Sequence, residues 1–269
     1  MQADYLFLIP LTPQNHLTPV RSELRKLCFT QLKKMKTNRR VWLLGEIDTV
    51  PEGFEQIALD ATTKEGKLVE TCQILEDSFI PPARYIVRLD DDDLINPDLF
   101  DRLSKEEFDI ACDTHHAFYD LSSGSVSYQK RPWIANTSIH NFKHAITKVK
   151  ASSSDKNAID KNYLVASDHS QTWHKYYDSK EVRKLKKGEP LYLRVLSPNT
   201  RSAKQSASSE LGYTEYLFQF GNWKGQFPFE KELQQKLIKV WEEHCGSLKE
   251  LKIPKKSILT RVANLIKSK

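Results

Sequence analysis

The sequence lacks the features that mark membrane-spanning, secreted and disulfide-stabilised proteins. No apolar run approaches the roughly 18 residues that a transmembrane helix needs, and the first residues carry no basic segment of the kind that opens a signal peptide. The four cysteines are widely spaced and form no C-x-x-C pair, so we expect them to be reduced. These absences predict a cytoplasmic protein.

The composition is that of a globular protein with a mild basic excess. The 269 residues include 41 Lys and Arg against 35 Asp and Glu, for a formal net charge of +6, and 39% are hydrophobic. A chain of this length buries a sizeable core, in one large domain or in two small ones. Because the excess is small, the placement of the charges says more about partners than their sum does.

Apolar runs alternate with helical patterns over the first 112 residues. The run from Tyr5 to Pro10 is typical of a strand buried on both faces of a parallel sheet, and Thr18 followed by Pro19 predicts a helix start. A capping box of Thr62 and Glu65 predicts the start of the next helix. Further strands are predicted at 41–44, 56–60, 85–89 and 108–112. This alternation predicts an α/β fold with a mostly parallel sheet flanked by helices.

The second half is less regular and ends in helical patterns. Residues 150–161 and 197–209 are polar and serine-rich, which favours loops. Apolar residues from Leu233 to Trp241 recur at helical spacing. We predict one domain over residues 1–225 and a helical C-terminal extension over residues 226–269.

The segment from Lys249 to Lys269 interleaves basic residues with Ile258, Val262 and Leu265, as a basic amphipathic helix does. Such a helix binds an anionic membrane surface, which would make the protein peripheral at the inner membrane face, or packs on its own domain with the lysines in water. The pattern leaves both open. Since no aromatic residues lie between the basic ones, it disfavours nucleic acid as a partner.

Four consecutive aspartates, Asp90 to Asp93, form the most informative segment. Adjacent carboxylates do not fit inside a buried strand, because desolvation and mutual repulsion oppose their charge. We therefore place them at the C-terminal end of the strand, where open α/β sheets bind ligands. In extended backbone Asp90 and Asp92 share a face, and paired carboxylates suit a divalent cation. A solvated acidic turn that caps the next helix is the alternative.

This segment resembles the DxD region of GT-A fold glycosyltransferases. Arg88 and Leu89, followed by Asp90, Asp92 and Asp93, are similar to the R-L-D-x-D-D motif of family-2-like enzymes and of a bacterial rhamnosyltransferase group. The resemblance implies a GT-A-like fold and transfer of a sugar, with inversion, from a nucleotide-sugar donor to a saccharide or lipid-linked saccharide acceptor. It further implies a role in bacterial surface polysaccharide or lipo-oligosaccharide synthesis.

The resemblance also implies roles for single residues. Asp90, Asp92 and Asp93 correspond to ligands of Mn²⁺ or Mg²⁺. Asp168 corresponds to the catalytic base, with an N-cap as the alternative, and His169 is a second candidate because its ordinary pKa of about 6.5 suits proton transfer. The expected nucleotide contacts are Pro10, Thr12, Arg21, Asp60, Arg88, Asp90 and Asp91. For Arg88 the alternative to a nucleotide contact is an ion pair with the aspartates themselves.

Other classes of function stay open at this point. The histidine that many GT-A enzymes use as a late metal ligand has no counterpart in residues 191–199. A metal-dependent phosphoryl or nucleotidyl transferase also holds Mg²⁺ with aspartates at a strand end. A degenerate, non-catalytic transferase that acts as a scaffold is the third possibility.

Overall fold

The computed structural model describes residues 2–78, 80–130, 134, 137–149, 162–165, 171–198, 210–249 and 251. The strands are β1 (Ala3–Pro10), β2 (Arg39–Leu44), β3 (Glu55–Ile57), β4 (Ala83–Arg88), β5 (Leu94–Ile95), β6 (Ile110–Asp113), β7 (His115–Asp120), β8 (Ser125–Lys130), β9 (Ile139–Asn141), β10 (Val182–Leu185) and β11 (Tyr192–Leu196). The helices are α1 (Pro19–Lys34), α2 (Lys64–Glu76), α3 (Pro97–Leu103), α4 (Phe142–Ile146), α5 (Gln171–Tyr177), α6 (Glu210–Phe218) and α7 (Lys231–His244).

Within this part of the chain, a seven-stranded sheet has the order β10-β6-β9-β4-β1-β2-β3. Neighbours pair in parallel, except that β9 runs antiparallel between β4 and β6. Alternate residues of β1 point to opposite faces. Tyr5 and Phe7 pack in a core with residues of α1 and α3, and Leu6 and Leu8 pack in a second core with residues of α2 and α5. The predicted α/β sheet flanked by helices is confirmed, and burial of both faces explains why β1 is apolar from Tyr5 to Pro10.

The predicted start of α1 is confirmed, and the predicted start of α2 is wrong by one residue. The Thr18 hydroxyl accepts a hydrogen bond from the N–H of Arg21 at 3.2 Å, as predicted for the N-cap of α1. The N-cap of α2 is Thr63 and not Thr62, because the Thr63 hydroxyl accepts from the N–H of Gly66 at 3.1 Å. Two adjacent threonines offer the same cap, and the backbone register selects between them.

The sequence pattern did not predict a second, four-stranded sheet with the order β5-β11-β7-β8. Strand β11 pairs in parallel with β7 and antiparallel with β5, so that Leu193 lies opposite Leu94. Because β5 directly follows the aspartates, this pairing brings β11 beside them.

The C-terminal part of the described chain packs on the main core. Helix α7 buries the predicted stripe of Leu233, Leu237, Val240 and Trp241 in the core that also contains residues of β1 and α1. The boundary near residue 225 stays a prediction, and the basic tail beyond Leu251 lies outside the described residues. None of the described helices combines the length and apolar character needed to cross a membrane.

Candidate functional site

The aspartates lie where the strand order of the large sheet reverses. From β1 the chain continues to β2 on one side, and β4 lies on the other side of β1. Open α/β sheets bind ligands at such a switch point, beyond the carboxyl ends of the strands. Strand β4 ends at Arg88 and β1 ends at Pro10, so Asp90 to Asp93 and Thr12 meet there. The predicted position of the aspartates at the end of a buried strand is confirmed.

Asp91 points inward and ties this strand end to α1. Its carboxylate is fully buried and accepts hydrogen bonds from the Thr12 N–H at 2.9 Å and the Thr12 hydroxyl at 3.0 Å. Arg25 donates to it from Nε at 2.9 Å and from Nη2 at 2.6 Å, and Arg21 donates at 3.0 Å. This paired geometry satisfies a buried carboxylate. Asp91 and Thr12 were predicted to contact the nucleotide. In the structure the Asp91 carboxylate and the Thr12 hydroxyl are hydrogen-bonded to each other and hold the loop, so we assign both residues a positioning role.

Asp90 and Asp92 are the partly exposed members of the cluster, with 23% and 14% of their side chains accessible. Asp90 forms an ion pair with Lys64, the first residue of α2. Burial opposes ionisation of Asp90, but Lys64 and Arg88 outweigh it and hold its pKa below the ordinary value. These two carboxylates are therefore the ones that a ligand can reach.

Asp92 carries negative charge that its surroundings compensate only in part. Arg21 Nη2 lies 3.1 Å from Asp92, and 28% of the Arg21 side chain is accessible. Burial, assisted by the charges of Asp91 and Asp90, nevertheless raises the pKa of Asp92 to about 6 against the influence of Arg21. Additional positive charge beside Asp92 would stabilise its ionised form.

Asp93 is buried and faces an arginine that sequence reasoning did not assign. Burial and the neighbouring Asp92 raise the pKa of Asp93 well above its ordinary value. Arg194 on β11 opposes this shift, and Asp93 and Asp90 in turn raise the pKa of Arg194 against the effect of burial. The pairing of β11 with β5 brings Arg194 to the cluster.

Basic residues thus frame the acidic strand end, and their sequence signals differ. Arg25 follows Arg21 by four residues, which puts both on one face of α1, so helical spacing was a usable signal. Lys64 lies at the start of a predicted helix, but no motif in the sequence marks it as a site residue. For Arg194 no local signal exists, because its position depends on a pairing between strands almost 100 residues apart.

The other residues predicted for the site are Pro10, Arg88, Asp60, Asp168 and His169. Pro10 is buried at the end of β1, and Arg88 is buried and donates from Nη1 to the carbonyl of Leu164 at 3.2 Å. Asp60 is exposed three residues beyond β3, the strand at the edge of the sheet, and its N–H donates to the Glu70 carboxylate at 2.9 Å. Asp168 and His169 lie outside the described residues.

The side chains at the strand end offer oxygen donors for a metal ion. Among the residues that the structure describes, no group of three His, Cys, Asp or Glu side chains is arranged to hold one. The two accessible carboxylates, Asp90 and Asp92, are still enough for Mg²⁺ or Mn²⁺ when substrate phosphates and water complete the shell. The described residues therefore fit a cation that is shared with a bound diphosphate.

A further buried carboxyl group, Asp113 at the end of β6, anchors the strand that carries Arg194. Asp113 is 7% exposed, and it accepts a hydrogen bond at 2.9 Å from the N–H of Leu191, just before β11. Burial raises the pKa of Asp113 to about 8. The folded protein therefore holds this carboxyl group protonated at neutral pH.

Asp113→Asn is expected to stabilise the protein at neutral pH. An unfolded aspartate titrates near pH 3.9, so between about pH 4 and pH 8 the unfolded state ionises while the folded state stays protonated. This difference costs folding free energy that grows with pH, by at most about 1.4 kcal/mol per pH unit. Asparagine keeps one of the two side-chain oxygens that accept from the N–H of Leu191 and removes the titration. Thermal unfolding measured at several pH values should show that the melting temperature of the variant exceeds that of the wild-type protein by an amount that grows from pH 4 to pH 8. A difference that stays constant over this range would contradict the prediction.

No known family model matches the chain, and no curated protein sequence does. Comparison with solved structures finds residues 1–349 of S. aureus TarS at 11% identity and a TM-score of 0.44, covering 90% of this chain and 71% of that one. The chain spans 47% of the longer TarS structure, at 12% identity and a TM-score of 0.41 over 98% of this chain.

Two further solved structures are similar at the same level. A nucleotide-diphospho-sugar transferase from Desulfovibrio desulfuricans G20 is 11% identical, with 84% of this chain and 100% of that chain covered and a TM-score of 0.38. A 4-diphosphocytidyl-2C-methyl-D-erythritol synthase from Anaerococcus prevotii DSM 20548 is 10% identical, with 80% and 98% covered and a TM-score of 0.39. Identities and TM-scores this low do not assign an activity, so function has to be argued from the site itself.

Proposed function

We propose that the protein is a glycosyltransferase that uses a nucleotide-sugar donor. The observation that carries the proposal is the pair of accessible carboxylates, Asp90 and Asp92, at the switch point of the sheet, framed by Arg21, Lys64 and Arg194. Departure of a nucleoside diphosphate leaves negative charge that must be stabilised. A site that combines carboxylates for a cation with basic side chains for phosphate oxygens suits that task.

The residues divide the work as follows. Asp90 and Asp92 would hold the divalent cation, with Asp93 in support, and the chemistry it would supply there is Lewis-acid stabilisation of the departing diphosphate. Arg21 and Lys64 pair with these carboxylates and are accessible, so they orient phosphate oxygens beside them. Asp91 keeps the loop in place through Arg25.

Asp168, by resemblance, takes the proton from the acceptor hydroxyl, and His169 is the second candidate for this base. A single displacement of this kind inverts the anomeric carbon. The same resemblance supports a saccharide or lipid-linked saccharide acceptor of a bacterial surface glycan. The basic amphipathic pattern of residues 249–269 supports a docking role for the tail at an anionic membrane surface.

A thermal-shift panel tests the donor site. We expect one nucleoside diphosphate or monophosphate among UDP, GDP, TDP and CMP to raise the melting temperature with Mn²⁺ or Mg²⁺ and not with EDTA. A ligand at about 100 times its dissociation constant stabilises the native state by about 2.7 kcal/mol, which is readily measured. Shifts with nucleoside triphosphates alone would favour nucleotidyl transfer instead. No shift with any nucleotide would contradict the proposal and favour the scaffold.

A further inference from the structure

A cavity of about 270 Å³ lies away from the aspartates, between α1, α3 and the segment that precedes α7. Its wall includes Gln31 from α1, Asn96 at the start of α3, and Phe229. Gln31 follows Arg21 by ten residues on α1, which corresponds to roughly 15 Å along the helix axis. The cavity is therefore separate from the site at the aspartates, and α1 and residues 93–96 connect the two.

Gln31 is the feature that marks the cavity as a binding site. The residue is only 4% exposed, and its side-chain amide has no hydrogen-bond partner within the described part of the protein. Its polar atoms are not among the fully buried side-chain atoms without a partner, so they reach the solvent of the cavity and offer two donor hydrogens and an acceptor oxygen there. Because Gln31 lines the cavity, a molecule inside it can pair with this amide.

The charges of the other lining residues indicate which kind of molecule the cavity can bind. Arg102 is paired with Glu189 at 2.9 Å, and Glu230 is paired with Lys34 at 2.6 Å. Acidic side chains outnumber basic ones among the lining residues, so an anion such as a phosphate is disfavoured. The oxygen of Asn96 accepts from the N–H of Leu99 at 3.3 Å, which leaves its NH₂ group to donate.

We propose that this cavity binds one neutral sugar unit of the acceptor glycan. Hydroxyl groups pair with the amides of Gln31 and Asn96, and the C–H face of the sugar ring packs on Phe229, whose ring face is electron-rich. A cavity of this size is at the small end of ligand pockets, which suits a single ring. The choice of an acceptor sugar rests on the proposed function, whereas the cavity and its unpaired amide do not.

Saturation-transfer NMR on the full chain tests the proposal, with the methyl glycosides of glucose, galactose, N-acetylglucosamine and rhamnose at millimolar concentration. We expect at least one of them to bind, and Gln31→Leu to weaken that binding about tenfold, as expected for the loss of a hydrogen bond. Gln73→Leu, the same change at an exposed position of α2, should leave binding unchanged. Since no described protein group is paired with the Gln31 amide, Gln31→Leu should fold normally, and thermal unfolding checks this.

Absence of binding by all four glycosides would overturn the proposal, as would equal binding by Gln31→Leu and the wild-type protein. Tighter binding of a sugar phosphate than of the neutral sugar would also overturn it. Sugar binding that persists in Asp92→Ala supports a site independent of the aspartates. If no nucleotide shifts the melting temperature but Gln31-dependent sugar binding remains, the transferase is contradicted and the sugar site stands.

Discussion

Replacing Asp92 with alanine is expected to abolish sugar transfer while the protein stays folded. Asp92 is partly exposed at the switch point, and burial with neighbouring carboxylates already disfavours its charge. Its removal takes away a ligand for the cation and relieves repulsion within the cluster. We expect a loss on the order of 10³-fold in turnover, the size seen when one group that stabilises transition-state charge is removed.

The measurement is the rate of transfer or hydrolysis with the nucleotide sugar that the thermal-shift panel identifies, together with metal-dependent nucleotide binding. Asp178→Ala, at an exposed position just after α5, removes the same charge outside the cluster and should retain activity. A melting temperature for Asp92→Ala at or above that of the wild-type protein would exclude unfolding as the cause. Unchanged metal-dependent binding in Asp92→Ala would reject the assignment of this carboxylate.

Arg25→Met is expected to destabilise the protein strongly. The Arg25 side chain is 7% exposed and donates two hydrogen bonds to Asp91, which has no exposed surface. Without Arg25 the carboxylate of Asp91 keeps a single arginine, Arg21, which it shares with Asp92. Breaking a buried ion pair from one side costs about 3–5 kcal/mol, which corresponds to a fall of roughly 10 °C in melting temperature for a domain of this size.

Chemical denaturation compares this variant with Arg40→Met, the same substitution in an exposed ion pair with Glu55. The control should lose no more than about 1 kcal/mol, because solvent screens exposed pairs. Combining Arg25→Met with Asp91→Asn should recover part of the loss, since no buried charge is then left unpaired. If Arg25→Met and Arg40→Met lower the free energy of unfolding equally, Arg25 does not compensate the charge of Asp91.

The elements nearest the site were predictable because their signals are local. Burial on both faces makes β1 apolar from Tyr5 onward and β4 apolar from Tyr85 to Val87, and a threonine before Pro19 starts α1. Repulsion among Asp90 to Asp93 excludes them from the strand, so the end of β4 follows from charge alone. Where two equivalent caps were adjacent, the prediction chose Thr62 and the structure uses Thr63.

The division of labour within the cluster was predictable only in part. Asp90 and Asp92 were predicted to share a face of extended backbone, and they are the accessible carboxylates. The extended backbone itself was wrong, because the N–H of Asp93 donates to the carbonyl of Asp90 at 3.2 Å and closes a turn. Nothing in the sequence showed that Asp91 on the other face meets Arg25 and Thr12, because these residues come from separate segments. The catalytic base proposed at Asp168 lies outside the described residues and stays a prediction.

Local patterns were enough to predict the α/β class, the sheet elements around β1 and the location of the acidic site, because periodicity and charge repulsion act between residues close in the chain. The tertiary structure alone decided that β9 enters the sheet antiparallel, that β11 carries Arg194 to the cluster, and that Gln31 faces a cavity. Each of these depends on contacts between distant segments. Such contacts are selected by the packing of the whole core, and no local pattern encodes them.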